Sequence, residues 1–279
     1  MAGEKDTGGN ETVFTCEEVF YAYLGRYPAL IDVSLRIDQG ESVGILGANG
    51  SGKSTLLLIL DALLFAASGR VTAFGQELRP ELLGDEAFRA RFRKDVAMVF
   101  QNPDTQLFCP TVRDEVAFGP LQLDMSRVEV EERVGEIMER LRIAPLAERA
   151  PFNLSGGEKK KVAIASALAV HPRVLLLDEP TATLDPRSVR ELVGMVADFH
   201  REGGTLVVAT HDLHSVPELV DRIYVFDETH RIVASGPTEE ILSDETLLER
   251  CNLIHLHSHR HQGRWHLHPH GHTKSEDHH

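Results

Sequence analysis

Apolar positions follow two rhythms along this chain. Ser42–Leu46 (SVGIL), Val96–Phe100 (VAMVF), Val174–Leu177 (VLLL) and Thr205–Ala209 (TLVVA) are short runs, apolar throughout or nearly so, bounded by Gly, Pro or Asp. Runs of that length without alternation predict strands of a parallel sheet buried on both faces. Between them the rhythm changes to a helical one. From Ser126 to Leu141, apolar residues recur at Val130, Val134, Ile137, Met138 and Leu141, and Ser126 with Glu129 reads as a capping box. Strands near Arg222–Phe226 and Arg231–Ala234 flank a polar turn and predict a hairpin, and a last short helix is expected from Thr238 to about Arg250. Strand–helix alternation predicts an α/β fold. No internal repeat is visible.

Composition narrows the class. The 279 residues are 42% hydrophobic and 26% charged, as in ordinary globular chains. The net charge of −14 argues against binding nucleic acid through bulk charge. Cys16, Cys109 and Cys251 lack metal-ligand or disulfide-framework spacing and read as free thiols. The polar start shows no secretory leader. No apolar stretch reaches about 18 residues, so any membrane part is expected on another chain. Residues 1–10 are expected as a disordered terminus. The last 25 residues hold ten of the fifteen histidines, and 255–279 is expected to be a disordered His-rich tail.

Two segments carry chemistry. Gly47-Ala48-Asn49-Gly50-Ser51-Gly52-Lys53-Ser54-Thr55 follows an apolar run and opens a helix former run, expected over 53–64. In such a loop the glycines let successive N–H groups face a β-phosphate, Lys53 reaches the β- and γ-phosphates, and the Ser54 hydroxyl ligates Mg²⁺. The helix N-terminus adds its positive dipole end. Val174–Leu177 then ends in Asp178 and Glu179. There Asp178 can support the Mg²⁺ shell, and Glu179 can polarise a water in line with the γ-phosphorus.

Leu154-Ser155-Gly156-Gly157-Glu158 lies upstream of that pair, and His211 lies just beyond Thr205–Ala209. With the phosphate loop, Gln101 and Ala182-Thr183-Leu184-Asp185, this order resembles the ATP-binding cassette (ABC) ATPases, over roughly Val13 to Ser235. The resemblance implies a P-loop NTPase (RecA-like) core with an antiparallel β subdomain and a helical signature subdomain. The domain would span 11–254, with the helical part at about 103–170. It also implies roles. Gly47, Asn49, Gly50, Ser51, Gly52, Lys53, Ser54 and Thr55 would hold the phosphates of ATP, and Ser54, Gln101 and Asp178 would serve Mg²⁺. Glu179 would be the catalytic carboxylate, assisted by Gln101 and the switch histidine His211. Tyr23 would stack on adenine, with Tyr21 and Tyr27 as rivals. Ser155, Gly156 and Gly157, with the D-loop acid Asp185, would address ATP held by a second ATPase subunit. Glu158 stands where Gln is commoner in the family. Read without the family, Ser155 and Glu158 are also a capping box opening a helix over 156–169.

A finer likeness follows. Gln101-Asn102-Pro103-Asp104-Thr105-Gln106-Leu107-Phe108, the segment from Pro110 to Pro120 and Ser155-Gly156-Gly157-Glu158-Lys159-Lys160-Lys161 resemble the energy-coupling factor (ECF) branch, which imports cobalt, nickel and vitamins. That likeness implies a transmembrane ECF-type subunit, a substrate-specific membrane subunit and a place at the cytoplasmic face of the cell membrane. Phe108, Val112, Val116 and Phe118 are candidates for the docking groove or for the interior. In the tail, His255, His257, His259 and His261 alternate, as do His266, His268, His270 and His272. Period two in extended chain brings each set to one side, and neutral imidazole suits Ni²⁺ and Co²⁺. A vitamin-importing ECF ATPase with an incidental tail and a soluble ABC switch protein remain the alternatives.

Overall fold

The continuous apolar runs are buried strands whose side chains feed two different cores. The computed structural model describes residues 11–123, 125–261 and 264–271. Strands β1 (Thr12–Tyr23), β2 (Tyr27–Asp38), β3 (Ser42–Leu46), β4 (Ser68–Ala73), β5 (Gln76–Glu77), β6 (Val96–Val99), β7 (Val174–Asp178), β8 (Thr205–Thr210), β9 (Arg222–Phe226) and β10 (Ile232–Pro237) form two sheets. One has the order β2-β1-β4-β5 and is antiparallel; the other has the order β10-β9-β3-β8-β7-β6. In the second, only β10 runs against its neighbour.

Successive strand side chains point to opposite faces, and that alternation sorts the parallel sheet. Leu46, Leu175, Leu177, Leu206 and Val208 pack on the side of α3 (Val112–Gln122), α4 (Arg127–Arg140), α5 (Gly156–Leu168) and α6 (Pro186–Arg201). Val43, Ile45, Val174, Leu176 and Val207 pack on the other side. There α1 (Lys53–Leu60) and α2 (Glu86–Asp95) share a core with the antiparallel sheet through Phe14, Val19, Leu30 and Ile37. Each such fully buried side chain contributes about 1.5–3 kcal/mol relative to exposure. The two sheets are also bolted by polar contacts. Tyr224 donates its hydroxyl to Arg36 O at 2.9 Å, Arg222 donates to the same carbonyl at 2.7 Å, and Ile31 N donates to His230 O at 3.0 Å.

Helix ends differ from the sequence expectation for identifiable reasons. α1 stops at Leu60 rather than 64 because Ala62 turns left-handed, with φ of 51°, and Arg93 Nη1 donates to Asp61 O at 2.9 Å. The single helix expected from Thr238 is two. Helix α7 (Val216–Leu219) precedes them, and Asp244 separates α8 (Thr238–Ser243) from α9 (Glu245–Arg250), its carboxylate accepting from Leu247 N at 2.9 Å. The capping box at Ser126 forms as read.

The tail departs most. In place of the disorder expected for 255–279, β11 (Ile254–His261) pairs antiparallel with β12 (Arg264–Gly271). The alternation that suggested period two is the repeat of a paired strand, and it sets His255, His257 and His259 opposite His270, His268 and His266. His272 and the expected disordered stretch 1–10 lie outside the described residues.

Candidate nucleotide-binding site

Strand ends deliver the site. β3 ends at Leu46, and the chain turns through the glycine-rich loop into α1; β7 and β8 end beside it with Asp178 and Thr210. The loop is cut for glycine. At Gly52 φ is +116°, and a Cβ there would come 2.2 Å from Ala29 O. At Gly47 it would meet Ser51 Oγ at 2.5 Å. Lys53 is buried, and its ammonium donates to Gly47 O at 2.8 Å and Ala48 O at 3.1 Å while lying 3.4 Å from Glu179 Oε1.

The acids are held from several sides. Ser54 donates to Asp178 Oδ1 at 3.0 Å, so the hydroxyl and carboxylate expected to share a cation are already adjacent. Burial, aided by the neighbouring charge of Glu179, pushes the Asp178 carboxyl above the ordinary range, against the Ser54 hydrogen bond. Thr210 donates to Glu179 Oε2 at 3.0 Å, and His211 Nδ1 lies 2.9 Å from Glu179 Oε1. Glu179 itself sits in the left-handed region, with φ of 44°. That conformation costs a non-glycine residue on the order of 1 kcal/mol and is characteristic of constrained sites.

A cavity of about 480 Å³ opens over these groups. Tyr23, Tyr27, Pro28 and Ala29 wall one side, and Asn49, Gly50, Lys53, Ser54, Gln101 and Glu179 the other. Tyr23 shares a 3.1 Å hydrogen bond with Thr55 Oγ1, which sets its ring at the cavity edge. Backbone donors at a helix N-terminus, a buried lysine and a hydroxyl–carboxylate pair match a triphosphate with its divalent cation. Among the described residues, the buried Ser51 Oγ has no hydrogen-bond partner. Of the residues expected from the sequence, Gln101, Tyr23 and Glu179 line the cavity with the phosphate loop, and Asp178 and His211 adjoin it through Ser54 and Glu179.

Ser155, Gly156, Gly157 and Asp185 do not line this cavity. They form a separate surface where the tips of α5 and α6 meet. Ser155 and Glu158 form the reciprocal capping box, and Asp185 caps α6 by accepting from Arg187 N and Ser188 N. A Cβ on Gly157 would approach Ser188 Oγ to 2.6 Å, so the two tips are in close contact. Glu158 is held below the ordinary carboxylate range by its hydrogen bonds to Ser155. The exposed candidates for docking split: Phe108 and Phe118 lie at the surface with rings 4.9 Å apart, whereas Val112 and Val116 are core.

Three contributors were not singled out. Thr210 fixes Glu179, and only its place beside His211 hints at it. His230 lines the cavity with its ring Nδ1 3.2 Å from Ser51 O, across 179 residues of sequence. Lys160 is buried under Gln101, where burial pushes its ammonium down to about 8 against the pull of Asp178 and Glu179.

Fold and site together define a P-loop ATPase. Residues 30–182 match the ABC transporter family. Over 244 residues the chain is 46% identical to the nickel import ATP-binding protein NikO of Rhodobacter capsulatus, covering 86% of this chain and 95% of that one. It is 41% identical over 236 residues to the energy-coupling factor transporter ATP-binding protein EcfA of Methanothermobacter thermautotrophicus, covering 85% and 74%. Among solved structures, cbiO1 from Clostridium perfringens, part of the ABC transporter complex cbiONQ, superposes with a TM-score of 0.75 at 34% identity, covering 88% and 96%. The dimeric ATP-binding cassette MJ0796 bound to ADP and Pi superposes at 0.72 with 28% identity, covering 81% and 98%. The chain belongs to the ABC transporter family, as an ATP-hydrolysing subunit of the energy-coupling factor type.

Proposed function

We propose that this subunit powers uptake of nickel or cobalt ions through a separate transmembrane subunit and its substrate-specific companion, working at the cytoplasmic face of the cell membrane. The convergence of Lys53, Ser54 and Glu179 on one cavity, with Asp178 bonded to Ser54 and His211 to Glu179 and with Ser155–Gly157 outside its lining, carries the mechanistic half of this reading. In it, the loop N–H groups and Lys53 hold the β- and γ-phosphates of ATP. Ser54 and Asp178 are the residues fitted to Mg²⁺, with Gln101 reaching the same shell, and when bound the ion offsets charge on the β- and γ-oxygens. Glu179 takes the proton of the attacking water, and its carboxylate is aimed by Thr210 and His211. Tyr23 stacks on the adenine.

Ser155, Gly156 and Gly157 present the free N–H groups and positive end of α5 to the γ-phosphate of ATP held by a second ATPase subunit. Binding then closes a pair, and hydrolysis removes the bridging phosphate and reopens it. The exposed Phe108–Phe118 edge is the surface offered to the membrane subunit.

The metal assignment draws on the name of the nickel import relative NikO and on the histidines that the register of β11 and β12 places opposite each other. Imidazole suits these borderline ions. The test is ATP-dependent uptake of Ni²⁺ and of Co²⁺ into vesicles carrying the full complex, with and without residues 255–279. Uptake of either ion supports the reading. Uptake of a vitamin in its place makes the chain a vitamin-importing ECF ATPase, and co-purification with no membrane subunit makes it a soluble switch.

A further inference from the structure

Lys160 is a buried charge that the hydrolytic scheme leaves unused. It lies on α5, four residues after Gly156, and is 2% exposed. Its ammonium donates to Gln101 O at 2.7 Å and to Phe100 O at 3.1 Å. The carboxylates of Asp178 and Glu179 also attract it. The preceding residue, Lys159, pairs with Asp104 at 2.6 Å.

The loop these lysines grip follows β6, the edge strand of the parallel sheet. An edge strand has no neighbour on its outer side to extend the ladder past its end. The loop therefore closes on itself. Phe100 N donates to Gln106 Oε1 at 3.2 Å, Gln106 Nε2 donates to Met98 O at 3.2 Å, and Asp104 N donates to Asn102 Oδ1 at 3.0 Å. The two lysines fasten this closed turn to α5, and α5 begins at Ser155–Gly157. A buried ammonium bonded to two carbonyls is directional, and losing it leaves those carbonyls unpaired. An apolar side chain of equal length would fill the space without fixing either oxygen.

We propose that Lys160 is a positioning residue that locks the Gln101 backbone to the signature helix, so that the loop addressing this chain's own ATP and the helix tip offered to a second copy move as one piece. The inference rests on the ATPase reading of Gln101 and Ser155–Gly157. It ties the 100–106 turn to α5 as well as to β6, where Gln106 holds Met98 O. Displacement of the neighbouring Phe108–Phe118 edge would then reach both ATP-contacting elements together. Glu115 ties that edge into the same unit, its carboxylate accepting from Phe108 N at 2.8 Å and Cys109 N at 2.7 Å.

The test uses the full chain with Lys160→Met and Lys160→Gln, reading ATPase kinetics and hydrogen exchange. For Lys160→Met the expected result is a kcat reduced at least tenfold with KM for ATP within threefold, because the phosphate loop is untouched. Amides of 100–106 should exchange at least tenfold faster, while those of 174–178 keep their protection. Lys160→Gln retains N–H donors and should recover part of the kcat. Unchanged kcat and exchange, or a uniform rise in exchange with kcat and KM moving together, would overturn the proposal. Should Lys160→Met fail to fold, Lys159→Met cuts the second tie at the surface; 100–106 amides as slow as wild type in both it and Lys160→Gln would also overturn it. Glu179→Gln run in parallel keeps the two readings apart: wild-type turnover there sinks the hydrolytic assignment and leaves the exchange result standing.

Discussion

Glu179 is gripped by a hydroxyl, an imidazole and an ammonium at once, and together these contacts aim the carboxylate. Glu179→Gln keeps the shape and removes the base, so hydrolysis should fall by about 10²–10⁴-fold. ATP affinity should persist, which phosphate release and a fluorescent ATP analogue measure separately. Gly52 supports a different expectation. Any side chain there meets Ala29 O at 2.2 Å in a backbone conformation that L residues rarely adopt. Gly52→Ala should cost on the order of 2–3 kcal/mol in chemical denaturation and abolish ATP binding, since the loop must shift to relieve the clash. Lys53, Ser54, Asp178 and Glu179 were legible because their chemistry is written as short spacing next to strand ends. Thr210, His230 and Lys160 were not, because each acts on a group brought near only by the fold; Lys160 and Gln101 are 59 residues apart in sequence.

At the scale of elements, the buried strands β3, β6, β7 and β8 match their apolar runs to within a residue because burial on both faces leaves such a run uninterrupted. By contrast, β10 extends three residues past Ala234, and the strands of the antiparallel sheet carry no such run. Helix ends were less legible because they depend on distant partners. The end of α1 is the clearest case. Asp61 is buried there, and Arg93 reaches it with an Nη1–Oδ1 distance of 3.1 Å. Burial pushes its carboxyl up to about 7, beyond what Arg93 offsets. The folded chain therefore keeps a proton that the unfolded chain has released. Stability due to this group falls as pH rises from about 4 to 7, and the full cost is present above 7. Asp61→Asn should gain on wild type by about 2 kcal/mol between pH 5 and pH 8, read from urea midpoints at the two values. The tail differs from its expectation over the described strands β11 and β12 for a physical reason as well. A composition poor in core-forming residues predicts disorder, yet alternation over eight residues is also the pattern of a strand able to pair with a second one.

For the whole molecule, the decisive feature is that the α5 and α6 tips lie away from the cavity holding Lys53. On the function proposed above, such a chain completes its γ-phosphate contacts with a second copy or a related chain. Glu179→Gln with ATP should therefore sediment at twice the 31.0 kDa protomer mass, and Ser155→Arg added to it should return the monomer while leaving ATP bound. That order of six motifs was visible in the sequence, and the family resemblance implied its division between two subunits. Spacing alone shows which residues suit phosphate; which copy's phosphate they would meet came only from the resemblance.

The polar bolts between the sheets carry a thermal consequence. Tyr224 and Arg222 both hold Arg36 O, Arg231 pairs with Asp32 at 3.0 Å, and α1 contributes to the core beneath both layers. Neither layer keeps its interior if the other melts. Calorimetry should register the antiparallel layer and the phosphate-loop layer as one cooperative endotherm, and excising residues 11–38 should leave an insoluble remainder rather than a smaller working enzyme.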